Sequence, residues 1–136
     1  MTDAFPITIY HNPECGTSRN ALAMIRAAGY VPQVIEYRES GWTTGLLTQL
    51  LEAMGTTPRD ILREKGTPAG DLGLLEPTAS DEAILSAMTR HPILVNRPIV
   101  VTPKGTKLCR PSEVVLELLA RVPDSFAKED GEVVRA

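Results

Sequence analysis

A mixed α/β fold in the order β-α-β, helices, β-β-α is what this sequence predicts, and three stretches predict it. "ITIYH" alternates at the two-residue period of a strand, and the segment from Gly16 switches to the 3.6-residue period of a helix. Late in the chain, "NRPIVVT" and "PKGTKLCR" read as two short strands around a turn. With 136 residues, 43% of them hydrophobic, the chain has material for one compact domain spanning 1–136.

In the first strand Ile7 and Ile9 alternate with Thr8 and Tyr10, and Asn12 and Pro13 break it. Ala21, Leu22, Ile25 and Ala28 recur at helical spacing before Gly29, a natural stop, so a helix is expected from Gly16 to Ala28. "VPQVIEY" supplies a second strand, and Ile7 to Tyr37 then form a β-α-β unit whose parallel strands are joined by a right-handed crossover. Cys15 falls at the carboxyl end of the first strand, where open α/β sheets place their sites.

The middle of the chain is helical. "TTGLLTQLLEAMG" carries Leu46, Leu47, Leu50, Leu51 and Met54 on one face and ends at Gly55; "SDEAILSAMTRHP" carries Ile84, Leu85 and Met88 and is halted by Pro92. "TPRDILREKG" offers a short helix, and "PAGDLGLLEPTA" a turn of helix and then a loop. No repeat or linker divides the chain, so these elements are expected to form a helical insertion at about 43–91. Beyond it, the two late strands form an antiparallel hairpin turning at Pro103 to Gly105, and "SEVVLELLA" a last helix with Ser112 as its N-cap. The polar stretch 123–136 reads as a flexible tail.

Charge and composition exclude several classes. A net charge of -3 argues against a broadly basic nucleic-acid surface, so an anion site must be a local cluster. No apolar run approaches the ~20 residues that cross a bilayer. "MTDAFP" has neither the basic start nor the apolar core of a signal peptide, and a cytoplasmic location is expected. Two cysteines are too few for a disulfide framework and would stay as thiols in a reducing compartment. No metal is expected, because Cys15, Cys109, His11 and His91 lack paired ligand spacing.

Reactivity is the remaining reason for Cys15. A cysteine is ordinarily a buried core residue. This one is flanked by Pro13, Glu14 and Gly16 in a loop before a helix. Such a helix end acts like about half a positive charge, and cysteines so placed have pKa values lowered from ~8.5 to ~3.5–7.5. Arg19 adds positive charge, and His11 can donate a hydrogen bond from the loop. In dithiol oxidoreductases the position three after the nucleophile is a second, resolving cysteine. Here it is Ser18, which either bonds the thiolate or serves as an ordinary first-turn residue, so release must depend on another thiol. A phosphatase cradle is excluded, since the sixth place after Cys15 is Ala21 and not arginine. Arg97 before the third strand and Arg110 at the end of the fourth fall at one edge of the inferred sheet, and Arg63 comes from the insertion. Each alone reads as a solvated residue; together they suit a tetrahedral oxyanion, which matches the fork of guanidinium donors.

"ITIYHNPECGTSRNAL", "LREKG", "HPILVNRPIVVTPKGTKLCRPSEVV" and "FAKEDGE" closely resemble the glutaredoxin-linked arsenate reductase family over Ile7 to Glu132, with the stretch from His91 to Val115 the most specific. The resemblance implies a thioredoxin/glutaredoxin-like fold with a helical insertion, reducing arsenate to arsenite with glutathione and glutaredoxin as electron donors and no bound cofactor. It implies Cys15 as the nucleophile, His11 and Ser18 as residues that tune the thiolate, and Arg63, Arg97 and Arg110 as oxyanion ligands. The Arg97–Pro98 bond would be cis, with Pro98 facing the active-site cysteine. "SGWTTG", Ser40 to Gly45, departs from the family's usual proline-rich or acidic connection. Two alternatives share the fold. A thiol-sensing regulator that binds RNA polymerase would ordinarily carry C-x-x-C and needs no arginine trio, and a glutathione-disulfide oxidoreductase would need Cys15 but tolerate loss of Arg97 and Arg110. Cys109 reads as a strand residue.

Overall fold

The strand expected at "ITIYH" forms as β1 (Thr8–His11) in the computed structural model, which describes residues 5–135. It pairs in parallel with β2 (Gln33–Glu36) and antiparallel with β3 (Ile99–Thr102), which pairs antiparallel with β4 (Gly105–Leu108). The result is a four-stranded thioredoxin-like sheet in the order β2-β1-β3-β4. Because β3 runs against both neighbours, the end of β1, the start of β3 and the end of β4 share one edge. His11 lies in the last row of β1, while Ile99 is opposite Tyr10 and Leu108.

Between the parallel strands runs α1 (Gly16–Ala27), which buries Ser18, Ala21, Leu22 and Ile25 at the spacing of one helical face. It ends where Gly29 takes φ 95°, a left-handed conformation open to a residue without Cβ. One sheet face, carrying Ile7, Ile9 and Val100, packs against Met24 and Ile25 of α1 and against Val115 and Leu118. Each such fully buried aliphatic side chain contributes roughly 1.5–3 kcal/mol.

The last helix differs from expectation. Ser112–Leu118 is 3-10 and not α, and Pro111 occupies its N-cap position with no side-chain cap, so Ser112 is the first helical residue. The winding has a cause in the packing: at three residues per turn Ser112, Val115 and Leu118 line up, and these are the buried ones. The hairpin holds the far end, Thr102 Oγ1 donating to Leu118 O at 2.7 Å and Lys104 Nζ to Leu119 O at 3.1 Å. Where the sequence reads as a flexible tail, a two-stranded antiparallel ribbon forms from β5 (Ser125–Ala127) and β6 (Val133–Arg135). Phe126 and Val134 of this ribbon pack on the same core.

Among the described residues, Tyr37–Asn96 form one compact unit, and 5–36 with 97–135 form another. The insertion is thus wider than the expected 43–91. It contains α2 (Tyr37–Ser40), α3 (Thr44–Met54) and α4 (Asp81–Arg90), with 3-10 turns at Pro58–Ile61 and Pro92–Leu94. Its flanks are drawn in by contacts no periodicity announces. The Tyr37 and Trp42 rings meet in a tilted pair with centroids 5.1 Å apart, Trp42 Nε1 donates to Pro92 O at 3.3 Å, and Asn96 N donates to Ile61 O at 2.8 Å. The unusual "SGWTTG" connection therefore carries its own anchor, the buried Trp42. Thr43 then caps α3, its Oγ1 accepting from Leu46 N at 3.1 Å.

Candidate active site

The loop that ends β1 folds on Asn12. Its Oδ1 accepts from Glu14 N at 2.9 Å and its carbonyl from Cys15 N at 3.0 Å, which turns the chain and delivers Cys15 to the N-cap of α1. Asn12 is buried; the sequence marks it, before Pro13, as a break in the strand but not as a residue of the site. Its own N–H donates to Ser18 Oγ at 3.1 Å, and Ser18 Oγ stands 2.7 Å from His11 Nδ1. The Ser18 hydroxyl is thus engaged by the loop. What Ser18 offers the sulfur is its main-chain N–H. His11 meets Ser18 and not the sulfur. Its pKa is lowered, chiefly by burial and also by Arg26 and Arg19, against the opposing pull of Glu36.

Cys15 is 8% exposed. Burial pushes its pKa up, but hydrogen bonds from the Arg97 guanidinium, the Ser18 N–H and the Arg110 guanidinium outweigh burial and bring it from 9.0 to about 7. Arg110 Nη1 lies 3.8 Å from Cys15 Sγ and 2.9 Å from Arg97 O, which links the two arginine-bearing segments. The Arg97–Pro98 bond is cis, as the resemblance implies, and so is Arg110–Pro111. Arg97 and Arg110 therefore meet Cys15 at the sheet edge inferred from strand order. A thiol lowered to about 7 is partly ionised at neutral pH, and here two guanidinium groups stand beside it.

Arg19 differs from expectation in its surroundings. Its charge is matched by Glu129 in a two-pronged ion pair, Nε to Oε2 at 2.8 Å and Nη2 to Oε1 at 2.9 Å. Arg63 belongs to the Tyr37–Asn96 unit, where Nη1 donates to Asn96 Oδ1 and Nε to Lys65 O, each at 3.1 Å. Cys109 is fully buried in the core, and burial pushes its thiol up to about 12. Its N–H donates to Pro98 O at 2.8 Å, so its place is structural. Among the described residues no three or more His, Cys, Asp and Glu gather as a metal site. Nor is any helix among them long and apolar enough to cross a membrane.

Comparison with known proteins gives the family. Residues 10–118 match the ArsC family. An arsenate reductase of Synechocystis sp. is 61% identical over 129 residues, 94% of this chain and 92% of that protein. An arsenate reductase of Escherichia coli is 54% identical over 132 residues, again 94% and 92%. Among solved structures, an arsenate reductase from Vibrio cholerae superposes with a TM-score of 0.81 at 39% identity, covering 86% of this chain and 100% of that one.

Proposed function

This chain belongs to the ArsC family, and from that premise we propose that it is a cytoplasmic enzyme reducing arsenate to arsenite, with glutathione and glutaredoxin as electron donors and no bound cofactor. The observation that carries the reading is a single activated thiol, Cys15, held beside Arg97 and Arg110 while the other cysteine is buried. A thiolate and an arsenate anion repel, and the two guanidinium groups offset that repulsion where the S–As bond must form. The resemblance to the family gives Arg63 the same task.

The chemistry follows from there. The Cys15 thiolate attacks As(V), and one arsenate hydroxyl leaves as water after taking up a proton. Glutathione adds to arsenic in the same way. The glutaredoxin thiolate then attacks the glutathione sulfur, and the As–S electron pair stays on arsenic. Arsenic is thereby reduced to As(III), while the two outside thiols are oxidised to a mixed disulfide. Water finally displaces arsenite from Cys15, which returns to its thiol.

The test is NADPH oxidation in a mixture of arsenate, glutathione, glutaredoxin, glutathione reductase and this protein. Turnover should require arsenate and disappear in a folded Cys15→Ser variant. A folded wild-type protein giving no arsenate-dependent oxidation would overturn the reading.

A further inference from the structure

The motif "FAKEDGE", residues 126–132, has no part in the scheme above, yet its central carboxylate reaches the nucleophile's helix. We propose that Glu129 is a positioning residue for Cys15, acting through Arg19 on the loop that presents the thiol. The proposal rests on Cys15 being the reactive group.

The link is continuous in named bonds. Arg19 lies in the first turn of α1, and all three of its guanidinium nitrogens are engaged. Nε and Nη2 donate to the two Glu129 oxygens at 2.8 and 2.9 Å, and Nη1 donates to Pro13 O at 2.8 Å. Pro13 is two residues before Cys15. One planar fork thus ties the ribbon, the helix and the nucleophile loop together, a geometry that the point charge of lysine cannot reproduce. Glu129 is also held independently of its charge, since its N–H donates to Asn20 Oδ1 at 3.1 Å. Its Oε1 lies 3.8 Å from where a Cβ on Gly16 would stand, so the carboxylate rests over the first residue of α1. Behind it the ribbon is fixed, Lys128 Nζ reaching Glu113 at 2.6 Å and Glu132 at 3.1 Å, with Phe126 and Val134 on the core.

Stability does not account for this arrangement. The Arg19 and Glu129 side chains are 43% and 50% exposed, and ion pairs so exposed to solvent contribute little to stability. Geometry does: the Ser18 N–H and the Arg110 contact at 3.8 Å reach the sulfur only while the loop holds its place. Two physical effects of losing Glu129 have opposite signs. An Arg19 freed of its counter-ion would favour the thiolate, weakly because solvent screens it. A loosened loop would take donors away from the thiolate and disfavour it. Positioning predicts the second outcome.

The experiment follows iodoacetamide alkylation of Cys15 against pH in Glu129→Ala and Arg19→Lys, with circular dichroism to verify the fold. In both variants the midpoint should rise by about half a pH unit or more, equivalent to losing part of one charged hydrogen bond. Arg19→Lys keeps the charge and loses the fork, so it separates position from electrostatics. A midpoint unchanged or lowered in either folded variant overturns the proposal. Alkylation reads the thiol without arsenate, so failure here leaves the arsenate reading standing, and failure of that reading leaves this result interpretable.

Discussion

Replacing Arg97 with alanine should raise the Cys15 pKa more than replacing Arg110. The thiol is lowered from 9.0 to about 7 against an opposing push from burial, and the Arg97 hydrogen bond is the largest of the lowering contributions, with Arg110 behind the Ser18 N–H. Two pKa units correspond to about 2.7 kcal/mol, so the donors together must supply more than that to offset burial as well. Taking about one unit for Arg97 and about half a unit for Arg110, in keeping with that order, sets the scale of the expected effect. At pH 7 the thiolate fraction would then fall from about one half to about one tenth in Arg97→Ala, and to about one quarter in Arg110→Ala. Alkylation at that pH should slow about fivefold and about twofold respectively. The assay is the rate of iodoacetamide modification from pH 5 to 10, with the alkylated residue identified by mass spectrometry. If both variants kept the wild-type midpoint, or Arg110→Ala moved it further than Arg97→Ala, the attribution of thiol acidity to these side chains would be wrong.

Oxyanion use should weaken by about 1.5–3 kcal/mol in kcat/KM for arsenate in either alanine variant, with lysine restoring only part of it. Stability should rise with pH through the Cys15 titration: its folded pKa of about 7 lies below the ~8.5 of an unfolded thiol, so between those values the unfolded chain holds more protons. Urea unfolding should show that this gain, complete above pH 9 and lost as pH falls through 7, is absent in Cys15→Ser. Cys109, pushed up to about 12 by burial, should resist alkylation at pH 8 until denaturant is added; modification of both thiols in the native protein would contradict its burial. Ser18→Ala should cost about 1–3 kcal/mol in thermal or urea unfolding, because it strands the buried Asn12 N–H, yet move the alkylation midpoint little, since the sulfur is bonded by the main chain at this position.

What the sequence discloses and what it conceals divide along the range of the interactions. The apolar face of α1 and the alternation in β1 are local signals, and they suffice to put Cys15 at the N-cap. Strand order then carries Arg97 and Arg110 to the same edge, because an antiparallel hairpin fixes where its ends fall. Ser18 is different. Its residue type suggests a hydroxyl bond to the thiolate, but a buried hydroxyl goes to the donors folding supplies, here the Asn12 N–H with His11 Nδ1 alongside. The 3-10 winding of Ser112–Leu118 is likewise invisible locally, since Val114, Val115, Leu116, Leu118 and Leu119 satisfy a helical period until the sheet selects every third residue. The ribbon was hidden for a simpler reason: Glu129 and Arg19 are 110 residues apart, and no local pattern encodes that pairing.

The two cysteines together set what kind of redox chemistry this chain can support. A dithiol enzyme needs its second sulfur near the first, able to leave one partner for another. Ser18 stands where that sulfur would be, with its hydroxyl tied into the His11 and Asn12 network. Cys109 meets neither requirement. It sits among Ile9, Val100 and Val115 with its backbone bonded to Pro98, and burial holds it as a neutral thiol far below the acidity a nucleophile needs at pH 7. Reaching Cys15 would mean opening the core that packs the sheet against α1. The segment after β4 that fixes Cys109 brings Arg110 to Cys15 one residue later, so freeing one would displace the other. With Cys109 held in the core and Ser18 at the resolving position, the proposed scheme draws its second sulfur from outside the chain, which is the part that glutathione and glutaredoxin play in it.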